Sequence, residues 1–221
     1  MSGVHELAGK DNLGPLKIEQ NEPVFYEDWE RTIFALKLAT IAAGYFKPHE
    51  VRREIEQMPP SDYLRARYYE RWLFSLEKIL VKKTLLTQKE VDTGKSQEQT
   101  CRTALPPVPL EVMQYVMTNP VPVDLRLDIP ATFKRGDRIM TKNINSGHYT
   151  RLPRYIQGKP GVIEHDHGIF RLPDPQAHGD PGKPQHVYNV KFSLAELWDD
   201  ENPSNDCIHL DLFDEYMESD G

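Results

Sequence analysis

The sequence predicts an α+β protein whose helical half precedes its sheet half. Between residues 28 and 91, apolar side chains recur every three or four positions, the period of a helix that packs on one face. Beyond Pro130 the period becomes two, which is typical of half-buried strands. We therefore predict an N-terminal extended arm and helical domain over 1–91, a proline-containing linker with a short helix over 92–130, and an SH3-like β-barrel over 131–221.

The first predicted helix begins at Asp28 and ends at Gly44, because glycine commonly follows the last turn of a helix. Thr87 and Glu90 have the spacing of a capping box and predict a short helix after them. A further helix is predicted over 110–117, as an island within the loop-rich linker.

Two predicted helices lie between these and meet at a proline corner. The first begins at Pro48, whose fixed φ suits an initial helical turn, and it ends near Met58 before Pro59-Pro60. Ser61 is a favourable N-cap for the second, whose apolar face runs to Leu80. The pair would set two arginines, Arg52 and Arg53, against an aromatic cluster formed by Tyr68, Tyr69 and Trp72.

The second half predicts about five short antiparallel strands and one turn of helix. The strands are predicted within 132–140 (as strand, turn and strand), 161–164, 186–192 and 207–212. Ser193 and Glu196 form another capping box, for a helical turn that ends near Trp198. Strands this short, in about 90 residues with one helical turn, favour a small SH3-like barrel.

The composition excludes several classes of protein. A formal net charge of −7 disfavours general binding to nucleic acid or to anionic membranes, since both need a basic surface. Cys101 and Cys207 are the only cysteines and lie far apart, so neither a disulfide framework nor a cysteine metal site is encoded. The first residues lack the apolar segment of a secretory signal, and no apolar stretch is long enough to span a bilayer. We therefore expect a cytoplasmic protein.

The chain does not contain a self-sufficient catalytic motif. No Walker loop, nucleophile elbow, H-E-x-x-H or dinucleotide-binding fingerprint is present. His165 and His167 share one face of a strand, a spacing that suits a metal ion, but a solvated hairpin tip is the simpler interpretation because no third ligand is near in sequence. Four helix carboxylates are candidate general acids, although solvated charge is the usual role of such groups: Asp28, Glu30, Glu50 and Glu54.

A nucleic-acid-binding module is an alternative from another functional class. Residues 134–159 contain seven Lys or Arg and one Asp, within the predicted barrel. Residues 199–220 carry nine acidic side chains and no basic ones, and would repel phosphate if they lie nearby. The basic run would then serve an anionic site or balance the acidic segment.

Several stretches, taken together, resemble the β subunit of nitrile hydratase. They are Gly3 to Gly9, Asn21 to Phe25, Asp28 to Glu30, Glu50 to Arg52, Tyr68 to Trp72, Gly147-His148 followed by Arg151 to Tyr155, Pro184 to Tyr188, Glu196 to Trp198, and Asp211 to Phe213. They occur in the family's order and cover almost the whole chain. The resemblance implies the same architecture: a helical arm and domain, a loop-rich linker and an SH3-like barrel.

The resemblance also implies a partner and a reaction. The family's enzyme joins an α and a β subunit, as a heterodimer or an α2β2 heterotetramer, and hydrates a small nitrile to an amide. A cobalt(III) or iron(III) ion is held by a partly oxidised cysteine cluster of the α subunit, so the β chain contributes no metal ligand and is active only with its partner. Arg52 and Arg151 match the catalytic arginines, which hold the oxygens of the oxidised cysteines by charge-assisted hydrogen bonds.

Four further residues match the substrate pocket of the family: Pro48, Val51, Tyr68 and Trp72. Lys37 stands where some relatives have an aromatic residue, and Tyr149-Thr150 put one extra residue before Arg151.

A subunit of a related hydrating enzyme, such as thiocyanate hydrolase, is the neighbouring alternative, although the matching chain is split in two in that enzyme.

Overall fold

The computed structural model describes residues 3–6, 14–15, 18–97, 108–119, 122–144, 149–198 and 205–220. Within these ranges helices precede an antiparallel sheet, so the predicted α+β class is confirmed. Cys101 and the Gly147-His148 pair lie outside the described residues.

Six helices occupy the described parts of the first half. They are α1 (Asp28–Ala42), α2 (Pro48–Glu56), α3 (Pro60–Arg65), α4 (Tyr68–Lys82), α5 (Gln88–Thr93) and α6 (Leu110–Thr118). The start of α1 is stabilised by Glu30, whose Oε2 accepts the backbone N–H groups of Tyr26 at 2.6 Å and Glu27 at 3.3 Å. The predicted helices at Asp28 and Leu110 and the capping box of Thr87 and Glu90 are confirmed.

The prediction of one long helix from Ser61 is wrong, because the chain is extended between α3 and α4. Ala66 and Arg67 have ψ angles of 133° and 169°, which interrupt the helical hydrogen bonds. Oε2 of Glu70 then accepts the N–H of Arg67 at 2.6 Å and caps α4. Ser61 lies inside α3, and its hydroxyl contacts Oδ1 of Asp62 at 3.2 Å instead of capping a helix.

An apolar core holds α1, α2 and α4 together. Its buried members are Ile33, Phe46, Val51, Leu76, Ile79 and Leu80. Ion pairs of 2.6 Å from Lys82 to Glu54 and from Lys83 to Glu50 also tie α4 to α2. Burying one such aliphatic side chain contributes about 1.5–3 kcal/mol, so this packing fixes the orientation of α2 and of the side chains on its outer face.

The second half forms one five-stranded antiparallel sheet. Its strands are β1 (Arg138–Thr141), β2 (Pro160–Arg171), β3 (Pro184–Ser193), β4 (Cys207–Phe213) and β5 (Met217–Ser219). The hydrogen-bonded order is β4-β3-β2-β1-β5, which leaves β4 and β5 at opposite edges in the described part of the chain. Five strands are thus observed, but closure into an SH3-like barrel is not confirmed and stays a prediction. Two short helices, α7 (Pro173–Gln176) and α8 (Leu194–Trp198), flank β3, and the second matches the predicted turn.

Residues 132–135 do not form the first strand that the sequence predicts. The N–H of Lys134 donates to Oδ2 of Asp137 at 2.9 Å, and Gly136 turns the chain with a φ of +89°. The N–H of Phe133 donates to the hydroxyl of Tyr188 at 3.3 Å. These hydrogen bonds to side chains take the place of backbone hydrogen bonds between strands, because polar side chains compete for backbone groups in turns.

The two halves meet along α2. Nδ1 of His49 lies 3.0 Å from the hydroxyl of Tyr149, and Nζ of Lys47 donates to the carbonyl of Asp180 at 3.0 Å. The domain limits predicted at 91 and 130 stay a prediction. Within the described ranges, none of the helices combines the length and the apolar character required to cross a bilayer.

Candidate functional site

A cavity of about 400 Å³ lies beside the outer face of α2. It is lined by His5, Lys37, Pro48, His49, Val51, Arg52, Ile55, Glu56, Tyr63, Tyr68 and Trp72. Five of the six predicted site residues are in this set. The sixth, Arg151, lines a second cavity of about 590 Å³, and His49 lines both.

Glu56 joins the two predicted arginines, and sequence reasoning missed it. Its Oε1 lies 3.2 Å from Nε of Arg52 and 3.6 Å from Nη1 of Arg151. Its Oε2 lies 3.7 Å from Nε2 of His5. The available signal was the four-residue spacing of Arg52 and Glu56, which places both on one face of a helix. The contact with Arg151 has no local signature.

Burial raises the pKa of the Glu56 carboxyl, whereas the charges of Arg52 and Arg151 act in the opposite direction. The carboxyl is 10% exposed, but the side chain of Arg52 is 53% exposed and that of Arg151 28%. Solvent screens the attraction of these partly exposed guanidinium groups, and the burial of the carboxylate offsets part of the remaining gain in stability. The contacts therefore matter more for the orientation of the two guanidinium groups than for stability.

Arg151 is positioned by the C-terminal end of the chain. Its backbone N–H donates to the hydroxyl of Tyr216 at 3.3 Å, and that hydroxyl donates to a carboxylate oxygen of Asp174. Tyr216 is 2% exposed, and burial raises the pKa of its hydroxyl, so the phenol stays protonated. The backbone of Arg151 thus lies against a buried, hydrogen-bonded phenol.

The two residues that directly precede Arg151 are buried. Tyr149 is 8% exposed and Thr150 1%. Burial raises the pKa of Tyr149 to about 12, while burial and the nearby arginines lower the pKa of His49. Both groups are therefore neutral near pH 7, and their hydrogen bond connects α2 with the segment that carries Arg151.

Two members of an aromatic cluster, Tyr68 and Trp72, form one wall of the cavity that Arg52 also lines. Ring centroids of Tyr68 and Trp72 are 5.3 Å apart, and those of Tyr69 and Trp72 are 5.4 Å apart. Phe34 of α1 stacks on Trp72 at 6.1 Å. Tyr68 remains 62% exposed, so it offers a flat surface to a ligand or a partner.

Lys37 of α1 approaches this wall. Its Nζ lies 3.1 Å from the ring centroid of Trp72, a cation–π contact. Burial lowers the pKa of this amine to about 8. Among the described residues, no carboxylate forms a salt bridge with it.

The four carboxylates considered as general acids have other positions or partners. Glu30 and Glu50 cap α1 and α2, while Glu54 pairs with Lys82. Asp28 is exposed in the first turn of α1. None of the four lines the 400 Å³ cavity.

The predicted histidine pair lies on β2 and lines neither of the two cavities. The rings of His165 and His167 are 5.0 Å apart, and Nε2 of His167 contacts Oδ1 of Asp211 at 3.0 Å. In the described part of the chain, no group of three or more His, Cys, Asp or Glu side chains is arranged to hold a metal ion.

The basic run of the sheet half is partly paired with acidic residues. Arg135 lies 3.6 Å from Glu164, and Arg138 lies 3.2 Å from Asp220 in the acidic C-terminal segment. Such pairs reduce the positive potential that a phosphate backbone requires.

Comparisons with known proteins place both halves in one class. The N-terminal model of the nitrile hydratase beta subunit matches residues 1–119, and the C-terminal model matches residues 122–219. The matches define the class as a subunit of a nitrile-hydrating enzyme. The chain belongs to the nitrile hydratase beta subunit family.

Individual relatives match over nearly their full length. The nitrile hydratase subunit beta of Pseudomonas putida is 39% identical over 99% of both chains. The low-molecular weight cobalt-containing nitrile hydratase subunit beta of Rhodococcus rhodochrous is 32% identical, over 98% of this chain and 99% of the relative. The cobalt-containing nitrile hydratase subunit beta of Pseudonocardia thermophila is 31% identical, over 99% of this chain and 96% of the relative.

A solved structure gives a weaker likeness. Thiocyanate hydrolase from Thiobacillus thioparus, as the recombinant apo-enzyme, aligns over 41% of this chain and 77% of its own at 24% identity and a TM-score of 0.39. Nothing about the site follows from a likeness of this size.

Proposed function

We propose that this chain is the β subunit of a nitrile hydratase, which adds water to a small nitrile to form an amide and is active only with an α subunit. The relatives, similar over their full length, support this proposal. The observation that carries it is the convergence of Arg52 and Arg151 on Glu56, beside a cavity with an aromatic wall.

The metal belongs to the partner in this proposal. Cobalt(III) is preferred to iron(III), because two relatives are named as cobalt-containing. The α subunit would provide the cysteine cluster that holds the ion, as the resemblance to the family implies. When bound there, the ion polarises the nitrile carbon and makes it more electrophilic.

The arginines of this chain position the oxidised cysteines. Nε of Arg52 contacts Glu56, and none of the described residues accepts a hydrogen bond from its terminal N–H groups, which can therefore serve a ligand from the α subunit. A guanidinium group presents a planar fork of donors that matches paired oxygens on sulfur, and these hydrogen bonds are charge-assisted. Arg151 reaches the same carboxylate from the other half, so Glu56 sets the distance between the two forks.

The remaining pocket residues bind the organic part of the nitrile. Pro48, Val51, Tyr68 and Trp72 line the cavity with apolar and aromatic surface. A cavity of about 400 Å³ suits a small ligand, and apolar walls of this kind are usual in such sites. With the α subunit in place, these side chains exclude water from the reacting nitrile.

The test replaces each arginine by lysine in the co-expressed, metal-loaded complex. Arg52→Lys and Arg151→Lys should each lower turnover by at least about 100-fold, since one ammonium group lacks the fork geometry. Assembly and metal content should stay unchanged, as should the activity of the control Arg65→Lys, which alters an exposed arginine of α3. Unchanged turnover in either assembled arginine variant would exclude the proposed role of that arginine.

The assembly itself is tested by native mass spectrometry with metal analysis. A heterodimer or heterotetramer that carries about one cobalt ion per αβ pair is the expected result, from a cytoplasmic fraction of the source cell. A metal-free monomer that carries RNA would support the nucleic-acid alternative instead.

A further inference from the structure

The cavity contains more cationic side chains than the binding of a neutral nitrile would need. Lys37 and Arg52 both line it, and its only carboxylate among the described residues is Glu56. That carboxylate is already shared by Arg52, Arg151 and His5. No negative group in the described structure therefore compensates Lys37.

The surroundings of Lys37 are those of a binding group rather than of a solvated surface lysine. Its Nζ contacts the face of Trp72 at 3.1 Å, which stabilises the ammonium group without neutralising it. Burial lowers the pKa of the amine to about 8, so most of it still carries a proton near pH 7. A partly desolvated cation is costly unless an anion approaches it, and its attraction for an anion is stronger than in water.

We propose that Lys37 forms an anion-binding subsite of this cavity, which selects nitriles that carry a carboxylate group. The inference rests on the proposed function and names the substrate class of the same site. The ammonium group binds the carboxylate at one end of the substrate, while the nitrile at the other end takes up water. The aromatic rings of Tyr68 and Trp72 cover the carbon chain that joins the carboxylate to the nitrile.

The experiment compares two substrates of nearly equal shape, 4-cyanobutanoate and its neutral amide, 4-cyanobutanamide. The ratio of their kcat/KM values is measured for the complete αβ complex. Lys37→Met keeps the length of the side chain and removes its charge, whereas Lys37→Arg keeps the charge. Lys78→Met is the matched control, because Lys78 also lies near an aromatic ring, 5.7 Å from the centroid of Phe74, but outside the cavity.

The acid-to-amide ratio should fall by at least about tenfold in Lys37→Met, the effect of losing one charged hydrogen bond. It should change less than about threefold in Lys37→Arg and in Lys78→Met. An unchanged ratio in Lys37→Met, with normal hydration of the amide, would overturn the inference and leave the proposed function intact.

Calorimetric binding of pentanoate to the complex makes the test independent of turnover, because pentanoate has the same carbon chain and carboxylate but no nitrile to hydrate. Binding should weaken by at least about tenfold in Lys37→Met and stay unchanged in Lys78→Met. If the wild-type complex hydrates neither nitrile but shows this difference in binding, the subsite stands and the proposed function fails. Equal binding by wild type and Lys37→Met would reject the subsite.

Discussion

Arg52 and Arg151 lie against the same oxygen atom, Oε1 of Glu56, at distances of 3.2 and 3.6 Å. One arginine is on α2, and the other follows a buried segment of the second half. Two cations this close to each other repel, and the carboxylate between them offsets that repulsion. The arginine pair therefore forms only where the two halves of the chain pack together.

Replacing Glu56 with glutamine should show whether this carboxylate controls the arginines. Burial raises the pKa of Glu56, so its protonation begins at a higher pH than that of an ordinary glutamate, whose pKa is about 4.3. As the pH falls, the neutral carboxyl releases the arginines, and turnover of the complex should decline. Glu56→Gln should lower turnover near neutral pH by about 10 to 100-fold, as expected for a residue that orients functional groups.

The measurement is kcat of the complex from about pH 4 to 8. Glu56→Gln should also lose the decline on the acid side, because glutamine does not titrate. The control Glu111→Gln, on the exposed surface of α6, should keep both turnover and the acid decline. Persistence of the full acid decline in Glu56→Gln would show that another group causes it.

The part of the cavity that α2 and α4 form was predictable, because the sequence features that specify these helices are local. Pro48 starts α2, and the apolar period of the sequence places Val51 inward. The aromatic residues of α4 lie within two turns of each other, so their proximity follows from the helix alone. Local periodicity also predicted most strands.

The contacts that complete the site were not predictable, since they depend on how distant segments pack. Glu56 meets Arg151, and Tyr216 meets the backbone of the same arginine, across long stretches of chain. The break before α4 was missed because the contact that caps this helix, from the N–H of Arg67 to the carboxylate of Glu70, leaves no trace in the apolar period. No pattern of hydrophobicity encodes these choices.

Tyr216→Phe should destabilise the chain and loosen Arg151. The substitution removes a buried hydroxyl and leaves the N–H of Arg151 and the carboxylate of Asp174 without this partner. The free energy of unfolding should fall by about 1–3 kcal/mol, the cost of leaving buried polar groups unsatisfied. Urea denaturation of the chain measures this loss, and turnover of the reconstituted complex should fall with it.

The control for this prediction is Tyr115→Phe, since Tyr115 is 65% exposed on α6. It should change the free energy of unfolding by less than about 0.5 kcal/mol. Equal stability of Tyr216→Phe and the wild type would mean that the hydroxyl of Tyr216 does not anchor the segment.

Gly161→Ala should destabilise the sheet half by overpacking it. A Cβ atom at this position would lie 2.6 Å from Cγ1 of Val190 and 2.9 Å from Cε1 of Phe192, two fully buried side chains. Such overpacking costs about 1–3 kcal/mol, because close-packed neighbours must shift. Denaturant unfolding measures the loss, and Ser219→Ala, on the exposed side of β5, should have little effect. Wild-type stability of Gly161→Ala would show that the β2–β3 contact is looser than this packing implies.

Lys37 should react with acylating reagents at a lower pH than other lysines. Burial disfavours its charged form and lowers the pKa of the amine to about 8, so the nucleophilic, neutral amine appears about two pH units before it does in an ordinary lysine, whose pKa is about 10.4. The complex is treated briefly with acetic anhydride at a series of pH values, and acetylation of each lysine is measured by peptide mass spectrometry. Half-maximal reactivity of Lys37 is expected near pH 8, with the exposed Lys78 as the reference within the same sample. If the pH profile of Lys37 coincided with that of Lys78, the surroundings of Lys37 beside Trp72 would not desolvate its amine.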